Sequence, residues 1–204
     1  MKEINIFCFG FGQVAKYFIK NLSKKYNINL VTTSRNKTQK KEIFGIKYSS
    51  YQFFDYMFDK EIINQIKKYD HILISIPPKN GVDLVIENFK KILANSKINW
   101  LTYLSATSVY GDHHGRWVNE TSELNPTTKN GKSRLTAEKM WIEFCSKKKL
   151  PFQIFRLSGI YSSERNIFER IKSGLQKVAV DASVVKGESD PLMVFEKSPK
   201  RKSG

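Results

Sequence analysis

The stretch Gly10-Phe11-Gly12-Gln13-Val14-Ala15 constrains this chain more than any other. An apolar run, Ile4 to Phe9, leads into it. A segment with Val14, Phe18 and Leu22 on one face and Lys16, Lys20 and Lys24 on the other leaves it. This is a G-x-G-x-x-A turn between a strand and a helix. Gly10 permits the tight turn, Gly12 lets the backbone approach a pyrophosphate with no Cβ in the way, and Ala15 lets the helix pack closely on the strand. The free N–H groups and positive dipole end of the helix then face an anion. The expectation is a dinucleotide held by Gly10, Gly12, Gln13, Val14 and Ala15.

The next strand, Ile28 to Thr33, ends in Ser34-Arg35-Asn36. In a dinucleotide fold the adenosine ribose lies here, and an acid would hold its 2′-hydroxyl. Arg35 stands in that place, which suits a 2′-phosphate, so NADP is expected over NAD. A short third strand is expected at Ile46 to Tyr48 and a helix at Lys60 to Lys68. His71 to Ile76 is a nearly continuous apolar run, as a parallel strand covered on both faces reads. Pro77-Pro78 ends it, which places Ser75 and Pro77 at the same ligand edge. Val82, Val85, Phe89 and Ile92 are spaced for one buried helix face. Further on come a strand at Ile98 to Ser105, a helix over Lys132 to Lys147 with Ala137, Met140, Trp141, Phe144 and Cys145 as its stripe, and a strand at Pro151 to Leu157. Alternating strands and helices predict an α/β, Rossmann-type parallel sheet with helices on both faces. Residues 1–174, with a short helix at 167–174, form the binding domain in this reading. Residues 175–204 are expected to form a remnant or divergent segment with a disordered basic end.

Composition narrows the function classes. The chain carries 35 basic and 19 acidic residues, a net +16, which raises nucleic acid, anionic membranes and acidic metabolites as partners. The lysines are scattered along the sequence, which favours solvated surface charge over a nucleic-acid footprint. Cys8 and Cys145 sit in apolar surroundings with no C-x-x-C, so neither a disulfide framework nor a metal site is expected and a reducing, cytoplasmic location fits. No apolar run is long enough to span a bilayer, and the start is a strand rather than a signal peptide.

Three further stretches occur in order: Leu104-Ser105-Ala106-Thr107-Ser108-Val109-Tyr110-Gly111, Asn130-Gly131-Lys132-Ser133-Arg134-Leu135-Thr136-Ala137-Glu138, and Arg156-Leu157-Ser158-Gly159-Ile160-Tyr161. With the glycine turn, they resemble the extended short-chain dehydrogenases, the NAD-dependent epimerase/dehydratase group, in its atypical branch. The resemblance covers roughly residues 1–174 and ends where family members continue into a substrate-covering region, so the chain reads as shortened. It implies a small carbonyl or sugar-nucleotide substrate. In that family a Ser or Thr, a Tyr and a Lys do the chemistry, the Tyr as general acid/base.

Here those positions fall on Ala106, Asn130 and Arg134. An amide exchanges no proton near neutral pH, and arginine stays charged, though it can still bind a ribose or phosphate. Tyr56 and Lys60 match the Tyr-x-x-x-Lys spacing but precede the fourth strand, outside the site. Ser105 and Thr107 flank the lost hydroxyl, Tyr110 follows the strand end, and His113 is a residue type that can donate or accept a proton. The catalytic candidates are therefore Ser105, Thr107, Tyr110, His113 and Arg134. A non-catalytic dinucleotide-binding sensor or partner subunit is the alternative.

Overall fold

Strand β1 (Glu3–Phe9) sets the centre: its last four residues, Ile6 to Phe9, are buried on both faces, as a central parallel strand requires. The computed structural model describes residues 1–160. The helix expected at 167–174 and the segment 175–204 lie outside the described residues. From β1 the chain passes through α1 (Gln13–Leu22), β2 (Asn27–Ser34), β3 (Gln39–Ile43), β4 (Ile46–Phe54) and the two-residue β5 (Met57–Phe58). It continues through α2 (Glu61–Lys68), β6 (His71–Ile74), α3 (Leu84–Ala94), β7 (Trp100–Ala106), a 3-10 turn (Thr107–Val109), α4 (Lys129–Lys148) and β8 (Phe152–Leu157).

The strands lie in the order β3-β4-β2-β1-β6-β7-β8, with β5 paired to β4. Neighbours run parallel except where β3 and β5 meet β4. The chain builds β2 and β4 outward on one side of β1, then crosses to build β6, β7 and β8 on the other. That is the doubly wound Rossmann order, and its reversal between β1 and β6 opens a crevice at their carboxyl ends. Alternation along β1 splits the core in two. Phe7 and Phe9 pack with α2, α3 and α4 on one face, while Ile6 and Cys8 pack with Ala15 and Ile19 of α1 on the other. Helices thus cover both faces. Among the described residues no helix is long and apolar enough to cross a membrane.

Several boundaries differ from the sequence expectation. The β3–β4 hairpin was not anticipated. Its two-residue turn, Phe44-Gly45, places both residues at positive φ (53° and 76°), the geometry that matches strand twist, but with Phe where Asn or Asp would announce it. The third strand does not stop at Tyr48; β2 on one side and β3 on the other hold it as far as Gln52, and β5 pairs with Phe53 and Phe54. Val82 lies outside α3, and Leu93 rather than Ile92 completes the fully buried face. The cause is Asp83, which caps α3 by accepting from the N–H groups of Val85 (2.9 Å) and Ile86 (3.1 Å). Likewise Thr128 caps α4, its hydroxyl accepting from Gly131 N–H at 3.0 Å, so the helix starts before Lys132.

Candidate functional site: a cleft at the sheet reversal

A cleft of about 750 Å³ lies at the carboxyl ends of β1, β2, β4 and β6. Gly10 forms its inner corner at φ +78°, and a Cβ there would come within 2.9 Å of Ile76 Cγ1, so the turn needs glycine on both counts. The Gly10 N–H donates to Thr33 Oγ1 at 2.9 Å, which ties the turn to β2. Gly12 is the N-cap of α1. No side chain caps that end and no acid lies in the first helical turn. A Cβ on Gly12 would meet no protein atom within 4 Å; it would project into free space at the helix start. The open cradle and uncapped N–H groups fit the diphosphate of a dinucleotide.

Of the residues expected to hold a cofactor, Gly10, Gly12, Ser34, Arg35, Ser75 and Pro77 line this cleft. Gln13, Val14 and Ala15 do not. Ala15 is fully buried under α1, Val14 packs into the α1-side core, and Gln13 opens the helix. The cleft also takes in residues that the sequence reading missed, among them Thr33, Tyr48, Phe53, Asp55 and Lys79. Asp55 follows β4, and its carboxylate receives Lys79 Nζ at 2.7 Å. Ending the third strand at Tyr48 hid this; carried to Phe54, the strand delivers Asp55 to the ligand edge.

The catalytic candidates do not line the cleft. Ser105 is buried, Thr107 is exposed on the 3-10 turn, and Asn130 is exposed in the first turn of α4. Arg134 Nη1 donates to the Leu104 carbonyl at 2.8 Å, which clamps α4 to β7. Tyr110 is 3% exposed, and its hydroxyl accepts from Arg156 Nη1 at 3.0 Å while the guanidinium sits 4.9 Å from the ring centroid. The remaining edge of Arg156 is met by Glu138, through Nη2–Oε2 at 2.8 Å and Nε–Oε1 at 3.2 Å. Burial works against the Arg156 charge, but the hydrogen bonds from its guanidinium to Glu138 and Tyr110 outweigh it and hold its pKa above the ordinary value. The His113 ring pairs with the Glu123 carbonyl through Nε2 at 3.2 Å and meets Tyr110 edge-on. Gly131 serves packing: a Cβ there would collide with the Ser108 carbonyl, so this glycine lets α4 start against the 3-10 turn.

No family model and no curated protein sequence matches the chain. Solved structures do. A conserved protein of unknown function from Silicibacter pomeroyi DSS is 28% identical, with a TM-score of 0.59 over 74% of this chain and 52% of its own. The UDP-glucuronic acid 4-epimerase from Bacillus cereus in complex with NAD is 13% identical, with a TM-score of 0.66 over 84% of this chain and 63% of its own. The UDP-N-acetylglucosamine 4-epimerase from Bacillus cereus is 20% identical, with a TM-score of 0.58 over 75% and 53%. The chain shares their fold and spans from 52% to 63% of their length.

The NADP expectation is corrected by this comparison. The Bacillus cereus UDP-glucuronic acid 4-epimerase holds NAD, alone and with UDP-glucuronic acid. Arg35 accounts for the misreading. It is exposed on the rim of the cleft, and it is its carbonyl that is engaged, accepting from Gln52 Nε2 at 3.4 Å. Among the described residues no hydrogen bond or ion pair holds its guanidinium at the ribose position.

Proposed function

We propose that this chain binds NAD in the cleft at the sheet reversal, that it belongs with the NAD-dependent epimerases and dehydratases, and that it turns over sugar nucleotides or simple carbonyls weakly if at all. The observation that carries this reading is a contrast of occupancy. The glycine turn at Gly10–Gly12 offers unclaimed backbone donors, whereas Arg134, Tyr110 and Arg156 at the β7 end already have internal partners. When bound, NAD supplies a site that accepts or returns a hydride. The chain's own part is to seat the diphosphate on the start of α1 and the adenosine end along β2 and β4. The domain reading of residues 1–174 goes with this proposal. A second reading, a dinucleotide sensor without catalysis, is favoured by the Arg134 clamp: a guanidinium stays protonated at neutral pH and here is bonded to the Leu104 carbonyl, so it serves as no general acid or base.

Calorimetric titration with NAD and NADH, followed by turnover assays with UDP-sugars, tests the proposal. Binding is expected. Acid–base catalysis is typically worth ~10²–10⁴-fold, and turnover should fall short by that order. Absence of NAD binding refutes the proposal. Vigorous turnover refutes its catalytic half, and alanine substitution of Thr107 and His113 then identifies the group that moves the proton.

A further inference from the structure

The charge of this protein is concentrated by its fold. Residues 1–50 hold ten basic and two acidic residues, half of the net +16. In the sequence these lysines look dispersed, but β2 and the β3–β4 hairpin lie together from the centre of the sheet out to its β3 edge, with α1 packed beside them. Adjacency links them. Lys16, Arg35 and Lys41 line the same cleft. Lys41 also lines a shallow hollow beside the hairpin with Lys40 and Lys47. At the hairpin tip, Lys20 of α1 reaches over the ring of Phe44, 5.5 Å from its centroid. None of these six cations takes part in an ion pair among the described residues, although Glu42 lies across from Lys47 in the hairpin register. Phe44 remains 48% exposed at the hairpin tip.

We infer that the α1–hairpin end of the sheet is a binding surface for single-stranded nucleic acid. The hairpin edge combines the two elements such a ligand requires: unpaired cations for phosphates, with Lys20 and Lys41 on the α1 side and Lys40 and Lys47 on the other face, and the exposed Phe44 ring on which a base stacks. The geometry disfavours a membrane. The apolar face of α1 is spent on the core, with Ala15 and Ile19 fully buried, so the helix has no face to insert into lipid. The edge strand β3 is short and lysine-bearing, which also blocks pairing with another sheet. The inference does not rest on the NAD reading.

The test is fluorescence anisotropy with a labelled single-stranded oligonucleotide of mixed sequence and the full chain, at about 50 and about 200 mM salt. Binding should weaken steeply as salt rises. The triple variant Lys20→Glu, Lys40→Glu, Lys47→Glu should bind at least ~10-fold more weakly, and its plot of log affinity against log salt should be shallower by about 2, since each single-strand phosphate contact contributes roughly 0.7. All three side chains are exposed and none lines the NAD cleft, so melting temperature and NAD affinity should match the parent. The triple Lys→Gln variant gives the same readout without reversed charge. Phe44→Asn suits the positive φ of the turn and should cost about 5-fold or more with an unchanged salt slope. Three outcomes overturn the inference: no salt-dependent binding by the parent, equal binding by parent and triple variants, or tighter binding to phosphatidylserine vesicles than to the oligonucleotide. Failure of NAD titration alone leaves this result unaffected and tells against the cleft instead.

Discussion

The two halves of the sheet follow the same topology and differ in what their carboxyl ends do with polar groups. At β1 and β6 the Gly10–Gly12 turn leaves the start of α1 uncapped and open. At β7 and β8 the two arginines are engaged internally: Arg134 by the Leu104 carbonyl, Arg156 by Glu138 and Tyr110. An open end can bind, because its donors lack partners until a ligand arrives. A closed end stabilises, because its charges are already paired. Ala106, Asn130 and Arg134, where the sequence departs from the pattern it resembles, all lie at the closed end, while the turn proposed to seat a diphosphate lies at the open one. The closed end is a structural joint between α4, β7 and β8.

The largest effect should come from breaking that joint. Glu138 is 1% exposed and the Arg156 side chain is 15% exposed, so Glu138→Ala strands a buried guanidinium. Removing one partner of a buried ion pair typically costs about 3–5 kcal/mol. Urea unfolding of Glu138→Ala should show a loss of that order, and Glu138→Ala with Arg156→Met should recover much of it. A loss below about 1 kcal/mol would mean the closed end is not a structural joint. The next effect belongs to the open end. Gly12→Val places side-chain atoms in the space where the diphosphate is proposed to sit, without touching protein atoms at its Cβ. NAD affinity should fall by roughly 100-fold, about 2.8 kcal/mol, with little change in melting temperature. Unaltered NAD affinity would remove the glycine turn from the site.

How much of this was legible follows from the range of the interactions. The glycine turn, the alternation of elements and the stripe of α4 are local patterns, and the fold bears them out. The β3–β4 hairpin was not legible, because Phe44-Gly45 is an unusual sequence for its turn and Gln39 to Ile43 is mostly polar, as an edge strand is. Missing the hairpin cut β4 short and hid Asp55 from the cleft. Arg35 was legible as a cation at the end of β2, but its exposure was not, and the cofactor expectation failed there. The Arg156–Glu138–Tyr110 cluster joins residues 18 and 46 positions apart, and no local motif announces it. Asp83 was similarly silent: it reads as one more polar residue before a helix.

Asp83 joins the open half to the closed half, and it carries the smallest predicted effect. Besides capping α3, its Oδ2 accepts from Trp141 Nε1 of α4 at 2.9 Å, so one buried carboxylate links the helix that follows the cleft to the helix of the joint. Burial pushes its pKa up, against the hydrogen bonds from Trp141, Ile86 and Val85, which pull it down. Burial prevails, so the folded chain holds this proton more tightly than the unfolded chain, whose Asp titrates near ~3.9. Stability contributed at Asp83 is then fully present below the unfolded value and is lost as pH rises through the raised folded value. Asp83→Asn abolishes the titration while keeping one oxygen to cap α3. Unfolding by urea at about pH 3.5 and about pH 7 should show the parent's advantage over this variant shrinking as pH rises, by on the order of 1 kcal/mol. Carboxylates with lowered pKa values, Asp59 and Asp70, give slopes of the opposite sign but are common to both proteins and cancel in the difference. An advantage that instead grew with pH would show that the three hydrogen bonds outweigh burial. Asp83 would then be a charged clasp between the two halves rather than a carboxyl ionised at a cost to the fold.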